Sequence, residues 1–357
     1  MIVCPARLEP VFSPRPWGAR SLAPYFPEMT GLAEPVGEAW LSGSECRFAD
    51  GPFAGMKLGE AWPKMPPEWA GTKADTAAAF PLLVKFIFSE EKLSVQVHPD
   101  DEYAAKHEQA VGGRGKTEMW YAVKARPGAE VLVGLKPEVT REGFARAIGE
   151  GTAEDCLVRV PVSQGDAIFV PAGTAHTIGP GLVLCEIQQN SDLTYRVYDY
   201  NRRDAQGRGR ELHIEKALDV MRFGKQLGGK VEPVQFNPKK AKSGRGLLSL
   251  LTACRYFAVE KIELRPGYFV SSSMGYFELM VVIDGVGSIA WKERDERVSE
   301  YSRGQVWLIP AALGSYAFEV KSTTTLLRTY VPDLDALAEH YEKSGVTAEE
   351  IRRLVLR

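Results

Sequence analysis

Residues 164 to 176 read Gln164-Gly165-Asp166-Ala167-Ile168-Phe169-Val170-Pro171-Ala172-Gly173-Thr174-Ala175-His176, and this stretch sets the frame for the rest of the chain. A glycine opens a turn and four apolar residues make a short strand. A proline, which cannot donate to a ladder, then ends pairing, and a histidine follows a second turn. A near copy lies in the last third of the chain, Arg303-Gly304-Gln305-Val306-Trp307-Leu308-Ile309-Pro310-Ala311-Ala312. It continues Leu313-Gly314-Ser315-Tyr316, without a histidine. Two copies of one strand-and-turn unit point to an internal repeat in which only the first copy can bind a metal at that position.

The pattern resembles the second half of the cupin motif, G(D/Q)xxxxPA, which implies a mainly β fold of two cupin-like β-barrel or jelly-roll domains with a few helices. The surrounding sequence agrees. Short apolar runs with turn-like flanks predict strands at 81–88, 119–123, 131–135, 167–170, 182–188, 257–264, 277–283, 306–309 and 325–330. Many short, closely spaced strands indicate a sandwich or barrel. Helical spacing is confined to 141–147, 211–222, 334–342 and 348–356. A Gly- and Lys-rich stretch poor in apolar pattern follows residue 224. The expected organisation is a metal-binding catalytic domain over 1–225 with peripheral helices, a linker over 226–245, and a second, metal-free β domain over 246–357 with C-terminal helices.

The chain of 357 residues has the apolar and charged content of a globular protein, and its formal net charge of −2 offers no basic excess for a nucleic acid. No apolar run is long enough to span a membrane. The opening Met1-Ile2-Val3-Cys4-Pro5 lacks the pattern of a signal peptide, and the five cysteines form no CxxC pair. The expectation is a cytoplasmic protein without disulfides.

Of the five histidines, His98 and His176 sit in strongly patterned surroundings. In Ser94-Val95-Gln96-Val97-His98 the alternation of an extended chain turns Gln96 and His98 to one face. Gly115-Lys116-Thr117-Glu118 places a carboxylate at a strand entry. Two imidazoles, a carboxylate and a neutral amide oxygen form a mixed N/O donor set that suits zinc; by ligand type alone manganese, iron, cobalt or nickel also fit. Phosphate-loop signatures are absent. The stretch Gly112-Gly113-Arg114-Gly115-Lys116 reads as a mobile lip over a pocket.

Several segments together resemble type I mannose-6-phosphate isomerases, in a short bacterial form. They are RPWGAR (15–20), GEAWLSGSE (37–45), PLLVKFIF (81–88), LSVQVHPDDEYA (93–104), GKTEMWY (115–121), VPAGTAHTIGPG (170–181) and CEIQQNSDLTYRVYDYNR (185–202). The resemblance implies one Zn2+ held by Gln96, His98, Glu118 and His176, with Arg196, Lys116 and Asp192 in catalysis. It also suggests substrate contacts from Ser42, Ser44, Lys85 and Trp17, although tryptophans in β proteins are more often core. One departure is Gly18-Ala19, where the family commonly has two glycines; a turn needing positive φ would resist alanine.

The implied reaction interconverts mannose 6-phosphate and fructose 6-phosphate. A proton leaves C2 and one returns to C1 through an enediol, with cations stabilising charge on the carbonyl oxygen. Lys116 and Asp192 are the preferred bases. His98, whose nitrogen coordination would occupy, and a hydroxide on the ion remain alternatives. The competing readings are another cupin enzyme, either a sugar-phosphate isomerase of different specificity or a metal dioxygenase, and a non-catalytic metal-dependent sugar-binding cupin. The expected partner is a small sugar phosphate, the expected state a monomer or homodimer.

Overall fold

The structure, a computed structural model, describes residues 2–203, 206–236, 246–292 and 296–356. Its strands form four sheets, two in each β unit. The first large sheet has seven strands in the order Gly229–Val231, Ala167–Val170, Glu118–Ala125, Leu182–Gln189, Leu82–Ser89, Val36–Trp40 and Val11–Ala19. It faces a five-stranded sheet ordered Tyr195–Tyr198, Val95–Val97, His176–Ile178, Glu130–Leu135 and Leu157–Pro161.

The second unit repeats this order. Ala258–Leu264, Thr324–Tyr330, Glu278–Asp284 and Val306–Ile309 are neighbours in its large sheet, as Leu82–Ser89, Leu182–Gln189, Glu118–Ala125 and Ala167–Val170 are in the first. Its small sheet runs Gly267–Ser272, Ser315–Val320, Val286–Lys292 and Glu296–Ser302. The repeat seen in two short motifs therefore extends through the whole strand order. The second large sheet also takes in Ala6–Glu9 and Arg47–Phe48 from the N-terminal part of the chain, and Val234–Phe236 from the stretch expected to be a linker. The remainder of that stretch, 237–245, lies outside the described residues.

Period-two alternation explains how the large sheet is used on both faces. In Glu118–Ala125, Met119, Tyr121 and Val123 point to the second unit, whereas Trp120 and Ala122 point into the first barrel. Leu82–Ser89 is buried at every position, which is why it reads as an unbroken apolar run rather than an alternation. Phe86 and Phe88 from this strand pack in one core with Leu279, Val281 and Leu327 of the second unit. A separate core under the first small sheet holds the helices Arg141–Glu150 and Ile214–Val220 through Phe144, Ile148, Ala217 and Leu218. The second of these helices is shorter than the 211–222 expected: residues 211–213 lie outside it, where the Glu211 carbonyl accepts from Arg196 and His213 N–H donates to the Arg196 carbonyl.

Ala19 needs no positive φ: it lies in Val11–Ala19 opposite Val36, so alanine is accommodated there. Among the described residues no helix is long and apolar enough to cross a membrane.

Because the core between the large sheets is shared, Phe86→Ala should destabilise the protein by about 3–5 kcal/mol. The check is urea unfolding: the midpoint falls with little change in slope, and both units unfold in one transition.

Candidate active site

The centre forms at one end of the first barrel, where alternation turns Lys85, Glu118 and Glu186 to the interior from three adjacent strands. Lys85 lies opposite Glu186 and Gln188 opposite Glu118 in the ladder. The small sheet supplies the other half: His176 pairs with Gln96, and Arg196 pairs with Gln96 from its other side. His98 stands one residue past Val95–Val97, so Gln96 and His98, Glu118, and His176 come together from three places in the chain.

Backbone carbonyls fix both histidine tautomers. His98 Nδ1 is 2.8 Å from the Leu193 oxygen and His176 Nδ1 is 2.9 Å from the Thr174 oxygen. A carbonyl can only accept, so each Nδ1 carries the proton and each Nε2 presents a lone pair. Burial lowers the pKa of both rings, that of His176 to about 3, so they are neutral at physiological pH. Glu118 Oε1 lies 3.2 Å from His176 Nε2 and 3.5 Å from His98 Nε2, with no hydrogen-bond donor of its own. Three acceptor atoms thus face one another out of water, all within 4.8 Å. Such a set repels itself unless a cation sits among them, and neutral imidazoles with a carboxylate are the donors a divalent metal takes. The Gln96 amide nitrogen stands 3.2 Å from His176 Nε2; half a turn of the amide presents its oxygen to the same point.

Beside this cluster, Lys116 Nζ is 2.7 Å from Glu118 Oε2, 3.1 Å from His98 Nε2 and 3.5 Å from Glu186 Oε1. Burial pushes its pKa down, but Glu118 and Glu186 more than offset this and hold the ammonium above its ordinary value. Glu186 is raised to about 7, by burial above all, against the pull of Lys116. Lys85 binds Asp192 at 3.0 Å and lies 3.8 Å from Glu186. Asp192 is held below the usual carboxylate range: burial opposes this, and Lys85 and Lys116 outweigh it. A cavity of about 500 Å³ opens over these groups, with Arg15, Ser94, Arg196 and Arg210 on its wall.

The sequence-predicted substrate residues divide. Lys85 and Trp17 line the cavity, Trp17 while also packed in the barrel core. Ser42 and Ser44 do not: Ser42 is buried and bridges the backbone of Leu82 and Val84, and Ser44 is exposed elsewhere. Arg196 is not paired with Asp199, which is taken by Arg202 and Arg210; it binds Ser94 Oγ and the Glu211 carbonyl. Glu186, Arg15 and Arg210 were missed. For Glu186 a signal existed, a lone acid inside the apolar strand Leu182–Gln189.

The glycine-rich stretch before Glu118 is a fastened strap rather than a free lip. Gly115 N–H donates to Asp101 Oδ1 at 2.9 Å, Lys116 N–H to the Pro99 carbonyl at 3.0 Å, and Ser191 Oγ to the Arg114 carbonyl at 2.9 Å. A Cβ on Gly115 would lie 2.6 Å from Asp101 N, so the approach requires glycine. Asp101 Oδ1 also accepts from Gln189, whose Oε1 receives Thr117 N–H at 2.8 Å. From the second unit, Tyr256 hydroxyl donates to Asp101 Oδ2 at 2.6 Å. The second unit thereby bears on the backbone that aims Lys116 and Glu118.

Fold and site together define a metal-centred cupin enzyme. The family model for the catalytic domain of type I phosphomannose isomerase matches residues 6–125. The mannose-6-phosphate isomerase ManA of Bacillus subtilis is 35% identical over 319 residues, covering 88% of this chain and 96% of the relative. The mannose-6-phosphate isomerase of Streptococcus mutans is 34% identical over 294 residues, covering 80% and 86%. The crystal structure of the Bacillus subtilis mannose 6-phosphate isomerase superposes with a TM-score of 0.81 at 30% identity, covering 91% of this chain and 99% of that one. The chain belongs to the type I mannose-6-phosphate isomerase family, and the dioxygenase and sugar-binding readings are not favoured.

Tyr256→Phe, which removes one charge-assisted hydrogen bond from Asp101, should lower kcat by about 3- to 10-fold while leaving KM and bound metal nearly unchanged. Steady-state kinetics with metal analysis checks this; a change in KM alone would contradict it.

Proposed function

We propose that this aldose–ketose isomerase works with one zinc ion per chain, held by Gln96, His98, Glu118 and His176. The observation that carries the reading is Glu118 Oε1, buried and without a donor beside two imidazole lone pairs. When bound, such an ion supplies Lewis-acid polarisation of the sugar oxygens at C1 and C2.

The phosphate end of mannose 6-phosphate is assigned to Arg196, with Arg15 and Arg210 alongside. Arg196 is half-buried, binds only neutral oxygens, and is held below the ordinary arginine pKa by burial and by Arg210. A phosphate dianion would relieve that crowding and accept paired hydrogen bonds from a guanidinium. Phosphate at that wall turns the C1–C2 end of the sugar toward Lys116. The Lys116 ammonium, placed by Glu118 and Glu186, donates to the oxygen on which enediolate charge develops. Removal of the C2 proton falls to Asp192, an ionised carboxylate on the cavity wall, or to Lys116 only once it has given up the proton that Glu118 and Glu186 hold on it.

Formation of fructose 6-phosphate from mannose 6-phosphate, coupled to NADPH production, tests the reaction. Metal-stripped protein should be inactive and regain activity with about one equivalent of zinc; restoration by another metal in preference to zinc would overturn the metal assignment. Arg196→Gln should raise KM by about 10-fold or more, the worth of a charge-assisted hydrogen bond. Exchange of solvent tritium at C2 in Lys116→Met and Asp192→Asn identifies the base as the residue whose loss abolishes exchange, and exchange retained in both removes both from that role.

A further inference from the structure

Overlaying the registers of the two barrels relates their centres residue by residue. In the first, Lys85 lies opposite Glu186, Glu186 opposite Trp120, Glu118 opposite Val170, and His176 opposite Gln96. In the second, Glu260 lies opposite Arg328, Arg328 opposite Met280, Glu278 opposite Ile309, and Tyr316 opposite Ser271. Glu278 therefore occupies the place of the ligand carboxylate Glu118, and Tyr316 that of His176. The ion pair across these two adjacent strands is present in both barrels with its polarity reversed: Glu260 stands where Lys85 does, and Arg328 where Glu186 does.

The second centre is as dry as the first: Glu260, Glu278, Arg328 and Tyr316 are all at least nine-tenths buried. Arg328 Nε donates to Glu260 Oε2 at 2.9 Å, with Nη2 on the same oxygen, and Nη1 lies 3.6 Å from Glu278 Oε1. Tyr330 and Tyr341 donate to Glu260 Oε1 at 2.8 and 2.5 Å, and Tyr316 donates to Glu278 Oε2 at 2.5 Å. Glu278 Oε1 has no hydrogen-bond donor, the same orphaned atom as in Glu118. At the first centre this signature marks a cation's place; at the second, the guanidinium of Arg328 reaches toward it.

We propose that the second barrel retains a cation site at the position of the first barrel's metal centre, and that the Arg328 side chain is its permanent occupant. Removing that side chain leaves a buried site with two carboxylates and three phenols, suited to a guanidinium-type cation from solution. This goes beyond the isomerase reaction and does not depend on it.

The test is thermal unfolding of the full, metal-loaded chain as Arg328→Ala, with and without methylguanidinium, against matched sodium chloride. Arg328→Ala should lower Tm by more than about 5 °C, because two buried carboxylates lose their counter-charge. Methylguanidinium at about 10 mM should return at least half of that loss and leave wild type unmoved, since it binds only the folded variant's vacated site. Equal shifts in wild type and variant, or no shift in the variant, would overturn the proposal. Should Arg328→Ala not fold, Arg328→Lys decides: a folded protein keeping most of the wild-type Tm supports the site, and a failure equal to that of Arg328→Ala overturns it.

Discussion

Nε2 of His98, Nε2 of His176 and Oε1 of Glu118 are pressed together out of water, none of the three carrying a proton of its own and Glu118 Oε1 receiving none from a neighbour. The structure around them depends on that constraint. Each imidazole could escape it by moving its proton to Nε2, but the Leu193 and Thr174 carbonyls hold both protons on Nδ1. Glu118 could escape by protonation, but Lys116 keeps it ionised against the push of burial. Lys116 reaches Glu118 Oε2 and His98 Nε2 but leaves Glu118 Oε1 without a donor, so a cation bound at that atom would complete this end of the barrel and couple its binding to folding.

The constraint can be met only because the large sheet is rigid on both faces. Lys85, Glu118 and Glu186 reach the interior through strict alternation, and a slip of one residue would exchange them for Phe86, Met119 and Ile187, now buried against the second unit. The second unit thus supplies the apolar surface that locks the register of catalytic strands it does not contain. Tyr256 adds a polar anchor at Asp101, where the strap carrying Lys116 is tied down.

Much of this was legible in the sequence because the signals were local. Strands such as Ala167–Val170 and Val306–Ile309 are bounded by their own glycines and prolines, and Gln96 and His98 announce a shared face by spacing alone. What escaped depends on distant pairing. Ala6–Glu9 joins the sheet of the other unit, through a partner some 300 residues away in the chain that no local pattern names. Ser42 looks like a polar residue offered to a ligand, yet its hydroxyl closes a backbone gap between Leu82 and Val84. The strap looked mobile because it is glycine-rich, whereas Gly113 and Gly115 permit a backbone approach that a Cβ would block. The helix Asp101–His107 is too short for a periodic signal and shows itself only through its Asp100 cap.

The two barrels show what separates a reactive centre from a structural one built on the same strand order. Catalysis needs positive charge that a substrate oxygen can approach, and the first centre opens to a cavity with arginines along its wall. In the second, the charge belongs to a side chain whose donors already face Glu260 and Glu278, and Tyr316, Tyr330 and Tyr341 close around those carboxylates. An ion pair that is fully enclosed stabilises the interior only to the extent that every group in it is matched, and it has nothing left to offer a ligand. Substituting tyrosine for histidine and an arginine for a glutamate therefore changes the centre's role without moving a strand.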